Sequence, residues 1–176
     1  MVTDYTLDEE TIVIDLIREK HPGQVLTTAM VTFGFPHVNV KTPERPNNTV
    51  IVATAVPGRR YVGSQSFYYN RVKISDFPNP NLPDQTVFIW NGEKDLLELL
   101  PAINERYKTN ITPDKIRNQN IPDLVAEGLY ETPVELRIEE SSIVYIDSVV
   151  LTIRRDMPWP VRHDGNYRHD GVARRS

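Results

Sequence analysis

The chain contains no cysteine. That excludes disulfides, zinc ribbons, iron–sulfur clusters and cysteine nucleophiles, and with them the disulfide-rich secreted scaffolds. It also lacks any apolar run near the roughly 18 residues that a membrane span requires. Residues 1–25 carry acids where a signal peptide would carry a basic and then a uniformly apolar stretch. The expectation is a soluble protein with no membrane partner. No Gly-x-Ser-x-Gly, phosphate loop or Gly-x-Gly-x-x-Gly occurs, so the common signatures of acyl transfer and nucleotide binding are missing. Two glycosylation sequons, Asn47-Asn48-Thr49 and Asn110-Ile111-Thr112, read as turn chemistry in the absence of an export signal.

What is present suffices for one domain. A chain of 176 residues buries roughly two-thirds of its unfolded surface, so neither disulfide nor metal is needed for its size. The net charge of −4 conceals an asymmetry: from Arg154 onward six arginines face three aspartates, a local +3, which leaves −7 on residues 1–153. A basic arm on an acidic body can dock on the acidic body of the next copy. Nucleic acid is the competing partner. It is disfavoured because Asp156, Asp164 and Asp170 dilute the arm and the body repels phosphate.

Thr6-Leu7-Asp8-Glu9 has the form of a capping box opening a helix from about Leu7 to Lys20, with Val13, Leu16, Ile17 and Lys20 on one face and His21-Pro22-Gly23 as the stop. Asp8, Glu9 and Glu10 fit the positive end of that helix. Val25–Phe33 has strand character. Pro36–Asn48, with three prolines and no period, is expected to be an exposed contact loop. Thr49–Val56 is apolar at most positions, as a strand covered on both faces would be. Pro57-Gly58 suits a type II turn into Tyr61–Ile74, with Gly63 at a bulge, so the two segments predict a hairpin. Thr86–Trp90 reads as another strand.

The spacing of Leu96, Leu100, Ile103 and Tyr107 predicts helix, with Pro101 either kinking it or dividing it in two. Thr112-Pro113 opens a short turn through Ile116. Val134–Ile138 and Ile143–Ile153 alternate on either side of Glu139–Ser142 and predict a second hairpin. The order of helices and strands lacks βαβ alternation. The expected fold is α+β: a mostly antiparallel sheet built from two hairpins, an N-terminal and a central helix, a body over residues 1–153, and an extended basic arm over residues 154–176.

The arm has no apolar periodicity, prolines on both sides of Trp159, and Arg-His-Asp-Gly twice, at Arg162–Gly165 and Arg168–Gly171. Such a segment cannot fold on itself, and the economical expectation is that it lies along a neighbouring surface. Pro158 and Pro160 hold the backbone extended and present Trp159 as an anchor. Arg162, Arg168, Arg174 and Arg175, with Tyr167 among them, are the other expected partner-binding residues.

His163, Asp164, His169 and Asp170 could form a two-His, two-carboxylate metal site. A glycine-punctuated segment offers no rigid frame for one, and Asp-Gly turns with arginines reaching a neighbour's carboxylates explain the repeat better. His21 and His37 sit beside prolines, away from any nucleophile. Neither catalysis nor a cofactor is expected. Phe67, Tyr68 and Tyr69 could stack on bases or sugars, and with the basic tail they define the alternative of a nucleic-acid or glycan module. Strand aromatics more often serve core and cross-strand packing.

An early helix, Val31-Thr32-Phe33-Gly34-Phe35-Pro36, Asn48-Thr49-Val50, Tyr61-Val62-Gly63-Ser64, Tyr68-Tyr69-Asn70-Arg71-Val72 and the Leu99–Asn104 run together give a resemblance over residues 7–153. The chain resembles uncharacterised virion structural proteins of large tailed bacteriophages. The resemblance implies a particle component of capsid, neck, tail or baseplate, made in the host cytoplasm. It would assemble with copies of itself and with other virion proteins. It brings no catalytic residues with it.

Overall fold

A computed structural model of the chain describes residues 3–79, 81–82 and 84–156, and the fold they form is α+β. The first helix, α1 (Glu9–Lys20), begins two residues later than the capping-box spacing implies. Asp8 is the N-cap, accepting 2.9 Å from the Thr11 amide and 2.6 Å from its hydroxyl, whereas Thr6 turns back to Asp4. The reason is local competition. Asp4 captures the Thr6 hydroxyl at 2.6 Å, and Glu9 is needed in the interior. Asp8→Ala is therefore expected to cost about 1 kcal/mol and Thr6→Ala only a few tenths, measured as the shift in urea midpoint. Equal losses would restore the capping box.

Three sheets follow. In the first, β3 (Thr49–Ala55) is flanked on one edge by β1 (Val31–Phe33) and β2 (His37–Val38) and on the other by β4 (Ser64–Tyr69), all antiparallel. The β3–β4 hairpin forms, but its second strand is shorter than the expected Tyr61–Ile74: Gly63, at positive φ like Gly58, lies in the connection rather than at a bulge, and the chain beyond Tyr69 leaves the sheet. Only Val31–Phe33 of the expected Val25–Phe33 strand pairs, because residues 21–30 are taken up by turns closed at Gln24→His21 and Met30→Thr27. Nor is β3 covered on both faces. Thr49, Ile51 and Ala53 are buried while Val52 faces outward, so β3 is central in pairing and one-sided in burial. The proline-rich loop is mostly exposed, as expected, but Pro36 is buried and His37–Val38 within it pair as β2; the rest is tied at its base by the Asn39 side chain to the carbonyls of Arg45 and Asn47.

The second sheet runs β6 (Val87–Trp90), β10 (Ser148–Arg155), β8 (Glu131–Ile138), β7 (Ile116–Arg117). β8 and β10 are the second predicted hairpin, and β6 joins β10 in parallel. The hairpin loop is longer than Glu139–Ser142. Asp147 adopts φ 76°, which breaks the expected Ile143–Ile153 strand. The detached residues become β9 (Tyr145–Ile146), which pairs in parallel with β5 (Val72–Lys73) in a small third sheet. At its other end β10 extends through Arg155, and Arg154 is ion-paired to Glu131 at 3.0 Å.

The second helix, α2 (Leu96–Tyr107), is continuous through Pro101, with Asp95 as N-cap and Lys108 closing it in the left-handed region. Leu96, Leu100, Ile103 and Tyr107 are all buried, as their spacing predicts. The helix packs on β6 through the Tyr107–Phe88 ring contact. In like manner α1 lies alongside β4, where His21 meets the Phe67 ring and Lys20 Nζ donates to the Tyr68 carbonyl at 2.9 Å. Residues of both helices and of all three sheets share one apolar core.

Candidate functional site

The sheets meet at a buried polar junction that sequence reasoning did not foresee. Glu9, the first residue of α1, is 9 % exposed and points inward. One carboxylate oxygen accepts the Ser142 hydroxyl at 2.5 Å and the other the Ile143 amide at 2.9 Å. Ser142 Oγ in turn accepts the Tyr145 amide, and the Ile143 carbonyl accepts the Tyr69 hydroxyl at 2.6 Å. From the opposite side Arg71 donates to Thr49 Oγ1 at 3.1 Å and to the Ser142 carbonyl at 3.0 Å. Asn48 fixes the backbone of Arg71, accepting from its amide and donating to its carbonyl. One short loop is thus gripped by the N-terminus of α1, the start of β3 and the end of β4.

Burial dominates the electrostatics of this junction. It raises the Glu9 carboxyl above the usual range, although the Ser142 and Ile143 donors and the Lys115 charge oppose the shift. It lowers the Arg71 guanidinium, opposed by Tyr69, Glu9 and Glu140. It raises both Tyr69 and Tyr145. An open cleft of about 430 Å³ lies above Glu9, with Asp8, Glu10, Phe35, Asn110 and Lys115 in its wall. Lys115 Nζ is itself engaged by Asp114 at 3.1 Å. Both Glu9 oxygens and the Ser142 hydroxyl are used within the protein, so the arrangement works as a clamp between elements.

The exposed face of the first sheet has a different character. Register sets His37, Val50 and Tyr68 in one row and Val52 and Ser66 in the next. Arg45, from the proline-rich loop, covers the Tyr68 ring at 4.8 Å. Of the aromatic trio, Tyr69 is buried and Phe67 packs against the core, while Tyr68 remains on the open face. Phe35, Val38, Val40 and Val62 are exposed around this sheet.

The arm residues Trp159, Arg162, Tyr167, Arg168, Arg174 and Arg175 lie outside the described residues, as do His163, Asp164, His169 and Asp170. Among the described residues no group of three or more His, Asp or Glu is placed to hold a metal. The sequence signal that could have revealed the junction is the spacing of Glu9, Ile12 and Val13. An acid heading an apolar i, i+3, i+4 stripe faces the core with it. A family model matches residues 2–158 of the chain, a span that includes every described residue. The chain belongs to the family of unknown function DUF7941. No curated protein and no solved structure matches it. The DUF7941 match includes the whole Glu9–Arg71–Ser142 junction and stops just short of Trp159.

Proposed function

We propose that this DUF7941 chain is a non-enzymatic structural subunit of a tailed-bacteriophage particle, assembling with copies of itself and other virion proteins. Its location is then the virion, after synthesis in the host cytoplasm. The body supplies a rigid plate held by the polar junction. The proline-rich loop and the C-terminal arm supply the contacts. The observation that carries this reading is the distribution of exposed apolar side chains. Among the described residues six of the thirteen large ones, among them Val40 at 83 % and Val62 at 95 %, fall between residues 25 and 62, on the first sheet and its loops. Concentrated exposure of that kind marks a surface that meets another protein. The resemblance to virion proteins and the acid body with a basic arm support the same reading.

Light scattering coupled to size exclusion tests it on the full chain and on Trp159→Ala. The wild type is expected to form a defined oligomer that weakens between low and moderate salt, as the pairing of Arg162, Arg168, Arg174 and Arg175 is screened. Trp159→Ala should weaken it about thirtyfold even at low salt, the loss typical of a central aromatic anchor. A wild-type monomer under all conditions overturns self-assembly. Tyr68, outward beneath Arg45, favours a second reading as a nucleic-acid or glycan module. A steep salt slope for binding of single-stranded DNA would support that alternative.

A further inference from the structure

In the first sheet, β4 pairs only on its β3 side among the described residues. The Ala55 amide bonds the Gly63 carbonyl, and in this register the exchanging pairs continue as Ala53 with Gln65, Ile51 with Phe67 and Thr49 with Tyr69. The backbone groups of Ser64, Ser66 and Tyr68 therefore point away from the sheet. Lys20 Nζ, bonded to the Tyr68 carbonyl, confirms the direction. Beneath this edge runs a groove of about 260 Å³ between β4 and α1, walled by Val13, Leu16, Ile17, His21, Phe67 and Tyr69. An open strand edge above an apolar groove is the arrangement that accepts an added strand. Main-chain bonds give it affinity, and alternate side chains in the groove give it selectivity.

We propose that this edge receives residues 157–161, Met-Pro-Trp-Pro-Val, of a second copy of the chain. This deepens the assembly reading above and rests on it. In a parallel pairing Met157, Trp159 and Val161 would bond the outward groups of β4, the Val161 amide sharing the Tyr68 carbonyl with Lys20 Nζ. They would then stand level with Gln65, Phe67 and Tyr69, turning their side chains into the groove. Pro158 and Pro160 fall on the far edge, where a missing amide proton breaks no bond and blocks further strand addition.

The donor is a neighbour because of where the described chain ends. The Ser148 end of β10 shares a cleft with Arg71, which follows Tyr69 of the groove wall by two positions. From there the strand runs away for eight residues to Asp156, about 26 Å at ~3.3 Å per residue. Three further residues bring Trp159 at most about 11 Å from Asp156. Residues 157–161 thus leave from the Arg155 end of β10, opposite the end that borders Arg71, and the acceptor we assign is a neighbour's groove.

Amide hydrogen exchange on the full-length protein tests this without altering the edge. The amides of Ser66 and Tyr68 are expected to exchange freely in monomeric Trp159→Ala and at least tenfold more slowly in the wild-type oligomer. Ser66→Pro, which removes one outward amide, should retain the thermal midpoint within a few degrees and lose assembly at least tenfold. An oligomer that Trp159→Ala dissolves, with no protection at Ser66 and Tyr68, overturns this acceptor site and leaves the arm docking elsewhere. A wild type that never assembles overturns the assembly reading itself. Should Ser66→Pro fail to fold, the exchange measurement alone decides.

Discussion

Glu9→Ala is expected to lower the unfolding free energy by about 3 kcal/mol. Truncation leaves the Ser142 hydroxyl and the Ile143 amide without their acceptor in the interior, at roughly 1–3 kcal/mol for each unsatisfied group. Glu9→Gln retains one acceptor oxygen and should cost about half as much. The pH dependence has a definite sign. Burial raises the folded-state pKa of Glu9 above the ordinary glutamate value of 4.5. Its protonation therefore contributes stability that is fully present below about pH 4.5 and is lost as pH rises through the raised folded value. The wild type should gain on Glu9→Gln as pH falls from 7 towards 4.5, measured by urea titrations of both proteins. A gap that moves the other way would mean that attraction to Arg71 and Lys115 outweighs the cost of burying the charge.

The second large effect lies at the other end of the core. Phe88 is 2 % exposed. The Arg106 guanidinium stacks over its ring at 3.9 Å, the Tyr107 ring meets it edge-on, and Arg106 also donates to the Val87 and Asp84 carbonyls. Phe88→Ala leaves a cavity between β6 and α2 and should cost about 4 kcal/mol. Phe88→Leu restores most of the volume and removes only the ring, for about 1 kcal/mol of lost cation–π attraction. If denaturant unfolding gives both variants the same loss, the ring's electrostatics matter more than its volume.

The elements most legible in the sequence were those whose signal is local. The α2 stripe from Leu96 to Tyr107 and the β3–β4 hairpin around Pro57-Gly58 rest on spacing and turn chemistry within a dozen or so residues. Asp147 is where that reading failed. The apolar phase of Ile143–Ile153 is interrupted once, at Asp147, and there a left-handed residue divides the run so that Tyr145 can pair with Val72. The break shows in the sequence as Asp147, but the distant partner of the detached residues leaves no trace in local periodicity. The candidate site was illegible for a related reason. Glu9 resembled any acid at a helix start until Ser142 and Ile143 were placed against it. Arg71 sat in an alternating run of the kind that usually faces water. Its burial follows from Thr49 and the 140–142 carbonyls, which no window of neighbouring residues contains.

The contact between Glu9 and Ser142 closes across 133 positions of sequence, and this bears on how the chain is made. At about 5–20 residues per second of synthesis, α1 leaves the ribosome on the order of ten seconds before the loop that locks it. During that interval Ile12, Val13 and Ile17, all buried in the finished fold, have no C-terminal partner. Long-range closure of this kind is also slow in refolding, because the entropy of ordering the chain is spent before the contact forms. Helix α1, synthesised well before the loop that locks it, is thus among the last elements to be secured.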